Sequence, residues 1–127
     1  MNTKDPKLTA LQFNECINAQ DIEGLSNLMT EDHTCVINRG GKVEVEKPKE
    51  RMIKGWKGFF RMFPGYKNTF TRVESKDDLV IIIGYAFWSE KEPHDPAIWT
   101  VKIVEDLVAE WSVYDDTEEN RRKLGII

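Results

Sequence analysis

The clearest alternation of apolar and polar positions lies between Ala97 and Asp116, AIWTVKIVEDLVAEWSVYDD. Trp99, Val101 and Ile103, then Leu107, Ala109, Trp111 and Val113, occupy one set of alternate positions. Thr100, Lys102, Glu110, Ser112 and Tyr114 occupy the other. Successive side chains of a strand point to opposite faces, so this predicts two antiparallel strands turning at Glu105-Asp106. Leu79 to Ser89 is apolar at nearly every position and predicts a central strand covered on both sides, by helices on one and by a second subunit on the other. Tyr66 to Ser75 predicts a further strand, joined to it through Lys76-Asp77-Asp78.

Helical spacing dominates elsewhere. Asp5-Pro6 reads as an N-cap with proline in the first helical position, opening a helix to about Ala19 with Ala10, Phe13 and Ile17 on its apolar stripe. Asp21 caps a second, short helix that turns Ile22, Leu25, Leu28 and Met29 inward. Asp32 to Asn38 alternates as a strand with His33, Cys35 and Ile37 on one face. Arg39-Gly40-Gly41 breaks it, and Lys42 to Lys49 is expected to be a charged loop or short edge segment. From Lys49 to Phe63, Met52, Ile53, Trp56, Phe59, Phe60 and Phe63 recur at three- and four-residue steps. Gly55 and Gly58 within this helix are expected to mark close packing on a neighbour. Glu90 to Pro96 is a polar loop. Thr117 opens a last helix, with acids in its first turn, bases in its last and Gly125 as its stop. An apolar, aromatic sheet face must be covered by helices or wall a pocket, so the class is α+β, one domain over residues 1–127.

Composition narrows the function classes. The 127 residues carry a net charge of −4 and no basic run, which argues against a nucleic-acid surface. No apolar run approaches the ~20 residues of a membrane span, and no secretory signal is visible, so no membrane partner is expected. Cys16 and Cys35 form no motif and suit a reducing cytoplasm.

Three stretches, INAQDIEGLSNLMTEDHTCVI, GWKGFFRMFPGYK and AEWSVYDD, resemble patterns of the NTF2-like superfamily in its SnoaL-like branch. The resemblance spans nearly the whole chain. It implies a cone of curved antiparallel sheet, with three helices enclosing a pocket and a short C-terminal helix beyond. It also implies a homodimer paired through the outer sheet face. The fold hosts isomerases, dehydratases, cyclases, epoxide hydrolases and non-enzymatic binders, so function must come from the site. The positions that carry ketosteroid isomerase chemistry in that superfamily fall on Ile37, Phe13 and Ala97 to Trp99 here. None supplies a base or an acidic donor, which argues against isomerase activity.

The chemistry-bearing candidates are His33 and Asp115. His33 titrates near neutrality and shares a strand face directed into the cone. Asp115 continues the Trp111 and Val113 face at the strand end, so the two together would form a proton-transfer pair at the rim. The competing reading makes His33 a hydrogen-bonded core residue and Asp115 a capping residue. Phe13, Trp56, Phe60, Trp99 and Trp111 are expected to contact a small apolar or aromatic molecule. His33 and Cys35 alone make no metal site, and no cofactor motif is present. Two functions follow. One is a SnoaL-like small-molecule-binding protein, acting as an enzyme if His33 and Asp115 meet in an open cavity. The other is a non-catalytic dimeric binding or scaffold module whose core Trp56, Phe60, Trp99 and Trp111 fill.

Overall fold

The computed structural model describes residues 2–89 and 94–126, so residues 90–93 of the expected polar loop lie outside the described residues. Helix α1 (Pro6–Ala19) opens where the Asp5 carboxylate accepts the Lys7 N–H, and it buries Ala10, Phe13 and Ile17. Helix α2 (Ile22–Asn27) is capped by Asp21, which accepts from the Gly24 N–H at 2.9 Å. It is shorter than its apolar pattern implied. Leu28 is its cap and Met29 already belongs to strand β1 (Met29–Arg39).

Gly40 and Gly41, at φ 61° and 77°, make the hairpin into strand β2 (Lys42–Glu46), so the charged segment is an edge strand. Positive φ is easily reached only without a Cβ, which is why the two glycines sit there. Helix α3 (Lys49–Met62) then crosses the sheet and buries Met52, Trp56 and Phe60 at four-residue steps. Strands β3 (Lys67–Lys76), β4 (Leu79–Phe87), β5 (Asp95–Val104) and β6 (Leu107–Asp115) follow as an antiparallel meander. Glu105 and Asp106, both at positive φ, form the tight turn predicted between β5 and β6. Helix α4 (Glu118–Leu124) is capped by the Thr117 hydroxyl and ends at Gly125 in the left-handed region.

The six strands lie in the order β2-β1-β6-β5-β4-β3. Because α3 carries the chain from one edge to the other, the meander returns to β1 from the far side and β6 pairs with it in parallel. The sheet is therefore mixed, where an antiparallel one was expected. It is curved and unclosed, with register shifts between Phe70 and Arg72, Lys102 and Ile103, and Met29 and Thr34. An extra residue in one strand bends it and increases its twist. The architecture is an α+β cone of curved sheet closed by helices.

The shift near Lys102 changes which face each residue takes. Lys102 pairs with Glu110 but Ile103 with Val108, so Ala109 is the extra residue. Val108 is fully buried in the core, whereas Leu107 and Ala109 are half-buried. Trp111 and Val113 keep the inward face; the predicted alternation through Leu107 and Ala109 does not survive the bulge.

The concave face carries the main core, closed by α1 and α3. Asn14 and Asn18 fasten α1 to β3: Asn18 accepts from the Asn68 N–H at 2.8 Å and donates to the Asn68 carbonyl at 3.0 Å. On the convex face Ile81, Ile83 and Ile98 form a second cluster with Leu124 and Ile126 of the C-terminal segment. The outer apolar face of β4, expected beneath a second subunit, is covered by the chain's own end. Gly55 and Gly58 also differ from expectation. A Cβ on either meets nothing within 4 Å, so neither marks a close helix contact.

Candidate functional site

A cavity of about 240 Å³ remains between α3 and the concave face of the sheet. Trp99 and Trp111, set diagonally on neighbouring strands where Trp99 pairs with Val113 and Trp111 with Val101, contribute from the sheet, with Cys35, Ile37 and Val113. Trp56 and Phe59 line it from α3, and Tyr66 and Trp88 from the ends of β3 and β4. Arg39, Glu44 and Glu46 supply its charged groups. Glu44 and Glu46 pair directly with Ile37 and Cys35 across the β1–β2 hairpin, which puts the carboxylates on the inward face. The volume is slightly below the roughly 300–1,000 Å³ of drug-sized ligand sites, so it suits a small molecule.

The aromatic side chains of α3 contact one another and the ends of β3 and β4. Phe59, Tyr66 and Trp88 contact one another edge-to-face, with centroids 4.7 to 5.6 Å apart. Phe60 stacks on Trp56 at 5.3 Å, and Phe13 meets Trp111 in a tilted contact at 4.8 Å. Trp56, Trp99 and Trp111, three of the five residues expected to touch a ligand, line the cavity, while Phe13 and Phe60 do not. These two phenylalanines are the packing that holds the lining in place. The Trp56 indole N–H is buried without a hydrogen-bond partner among the described residues.

His33 and Asp115 do not come together. His33 is fully buried, stacks on Phe13 at 5.8 Å, and does not line the cavity. Its Nδ1 lies 2.7 Å from the Val108 carbonyl oxygen. A carbonyl only accepts, so Nδ1 carries the proton and Nε2, buried without a partner, is the bare nitrogen. Burial lowers the His33 pKa, against the opposing pull of the Val108 carbonyl. The bond falls where the register of β6 shifts against both neighbours, so the imidazole ties the bulge to β1.

Asp115 lies seven residues further along β6, roughly 20 Å away at the rise of an extended strand. It accepts from the Gly40 N–H at 2.8 Å and from Arg39 Nε at 2.8 Å. These bonds, the Gly40 one foremost, hold its pKa below the usual carboxylate value. The proton-transfer pair expected from the sequence is absent because both residues face inward from opposite ends of the sheet.

Arg39 was legible only as the start of a chain break, yet it organises the mouth. Its Nη2 donates to Asp95 at 2.6 Å while Nε holds Asp115, and Asp95 also accepts from the Trp88 indole at 3.2 Å. The alternation Lys42-Val43-Glu44-Val45-Glu46 was the available signal for the two inward glutamates. Tyr66 was readable only as a strand residue. Burial raises its pKa, so its hydroxyl remains protonated. Burial likewise pushes the Cys35 thiol up to about 12, which leaves no thiolate nucleophile at neutral pH.

An NTF2-like protein from Cytophaga hutchinsonii superposes with a TM-score of 0.70 at 16% identity, covering 98% of this chain and 99% of that one. The fold is NTF2-like. Within that fold, a protein described as a SnoaL-like polyketide cyclase from Shewanella putrefaciens matches with a TM-score of 0.74 at 13% identity, over 98% of this chain and 88% of that one. A cystatin-fold protein from Novosphingobium aromaticivorans matches with a TM-score of 0.74 at 17% identity, over 87% and 97%. No protein-family model and no curated protein matches the sequence. The likeness thus fixes the NTF2-like architecture and leaves the chemistry to this chain's own residues. No helix among the described residues is long and apolar enough to cross a membrane.

Proposed function

We propose that this chain is a small-molecule-binding protein of SnoaL-like type, whose ligand is a small molecule with a flat apolar part held between α3 and the sheet. The observation that carries the reading is the cavity of about 240 Å³ lined by four tryptophans, Trp56, Trp88, Trp99 and Trp111. Burying an aromatic ligand against indole faces stabilises it by area removed from water and by ring–ring contact worth ~0.5–1.5 kcal/mol per pair. The alternative, a scaffold with a filled core, is disfavoured by that volume: Phe13 and Phe60 pack behind the lining and leave the space open. Isomerase chemistry has no support, since Ile37 presents a hydrocarbon to the cavity. Catalysis through a His33–Asp115 pair has no support, since His33 is tied to Val108 and Asp115 to Arg39 and Gly40 seven residues further along β6.

The deciding experiment is titration of intrinsic tryptophan fluorescence with a panel of one- and two-ring aromatic compounds, repeated on Trp99→Ala. Saturable quenching that Trp99→Ala weakens at least about tenfold, the loss expected from removing one large buried contact, supports the reading. A panel that neither quenches nor raises the melting temperature would leave the scaffold function in its place. The proposal extends to a homodimer in a reducing cytoplasm, supported by the exposed Val43 and Val45 on the outer side of edge strand β2 and by the unpaired Cys16 and Cys35. Light scattering that returns the mass of one chain would remove the dimer.

A further inference from the structure

The cavity's charges and its aromatic walls together specify more than an apolar ligand. Resting on the binding function proposed above, we infer that the preferred ligand is an organic cation, a protonated or quaternary amine carried on a small apolar or aromatic body. The ring faces of tryptophan and tyrosine carry negative charge density and attract a cation lying over them, most strongly where water is excluded. Trp56, Trp88, Trp99, Trp111 and Tyr66 line this one cavity, so a ligand inside it meets several such rings.

The charged groups point the same way. Among the described residues Arg39 is the one cationic side chain lining the cavity, and it is already bonded to two carboxylates, Asp115 at 2.8 Å and Asp95 at 2.6 Å. That leaves it no net positive charge to offer an anion. Glu44 and Glu46 line the same cavity from β2. Glu44 has no ion-pair partner among the described residues, and Glu46 meets only Arg51 at 3.8 Å between two exposed side chains, a contact worth little. Lys42, opposite Arg39 at the hairpin tip, does not line the cavity, and Lys49 is directed to Glu31 at 3.7 Å. Two carboxylates thus neutralise the Arg39 guanidinium, and two more, Glu44 and Glu46, line the cavity beside it. An anionic ligand would enter against Glu44 and Glu46 with no free cation among the described lining residues to receive it. A neutral one would gain nothing from them. A cation is attracted by both the carboxylates and the rings.

A matched set of probes separates the charge from the shape. The trimethylammonium-substituted phenol and 4-tert-butylphenol have the same outline and differ in one positive charge; 4-hydroxybenzoate supplies the negative counterpart. Affinities are read by calorimetry for the full chain at low and high salt. The expected result is that the cation binds at least about fivefold more tightly than the neutral isostere, as cation–ring contacts of ~1 kcal/mol or more imply. The benzoate should bind weakest, and raising the salt should narrow the gap. Exchanging both glutamates, Glu44→Gln with Glu46→Gln, should lower the cation's affinity several-fold and that of 4-tert-butylphenol by clearly less, narrowing the ratio between the two; both positions are exposed on an edge strand, so the variant is expected to fold. Equal or tighter binding of the neutral isostere overturns the cation preference while the binding function stands. Failure of all three probes at millimolar concentration overturns both.

Discussion

At the residue scale, the decisive side chain is His33, because its chemistry and its position disagree. A histidine on the inner face of a cone invites a catalytic role, but this one is fully buried and spends its only N–H on the Val108 carbonyl. His33→Ala should therefore destabilise the protein by about 2–4 kcal/mol through the cavity it leaves and the carbonyl it orphans, read as a lowered denaturant midpoint. Aromatic-ligand affinity at the remaining folded fraction should hold. The pKa is lowered in the folded state by burial, with the neighbouring charges Asp32, Glu110 and Lys49 acting as smaller influences. The unfolded chain then takes up this proton first. The His33 contribution to stability is complete above the unfolded value of ~6.5 and declines as pH falls below it, levelling off under the folded pKa. Urea melts at pH 7.5 and 5.5 should show a loss that is smaller in a His33→Gln variant. Asp115 follows the same sign in a more acidic window: its folded pKa is also depressed, so its contribution fades only as pH falls through the carboxylate range and the group protonates.

At the element scale, the glycines separate close packing from open space. Gly84 lies in the middle of β4, where an added Cβ would stand 2.1 Å from the Thr69 carbonyl oxygen, beside the register shift at Phe70. Gly84→Ala should force the β3–β4 ladder apart and cost about 2–3 kcal/mol or more, with a matching fall in melting temperature. Gly58 is the contrast, since a Cβ there meets nothing within 4 Å. Gly58→Ala should raise stability by ~0.5–1 kcal/mol through helix propensity alone. The sequence shows both as glycines inside regular elements and cannot distinguish them, because the distinction is the distance to another strand. The helices were read well for the reason that Asp5, Asp21 and Thr117 act on neighbours within three residues. The β5–β6 turn was read for the same reason.

At the scale of the whole molecule, the C-terminal segment acts as a cover. Leu124 and Ile126 sit on Ile81, Ile83 and Ile98, with Ile126 itself 1% exposed. Deleting residues 117–127 should bare this apolar patch on the convex sheet face, and exposed patches of that kind drive association. The truncated chain is expected to self-associate or precipitate in sedimentation measurements at concentrations where the full chain is uniform; an unchanged sedimentation profile would show that the cover is dispensable.

What the sequence by itself determined is everything carried by short-range periodicity: the helices from caps and three- and four-residue steps, the strands from alternation, the meander from its turns, and the aromatic concave face from Trp99 and Trp111. The α+β cone follows from those, since such faces must be covered. Only the tertiary structure decided the parallel pairing of β1 with β6, the bulge at Ala109, the separation of His33 from Asp115, and the convergence of Arg39, Asp95 and Asp115 at the cavity mouth. Each depends on how strands distant in the chain are placed in register. A shift of one residue reverses the face of every side chain beyond it, and no local pattern records that shift.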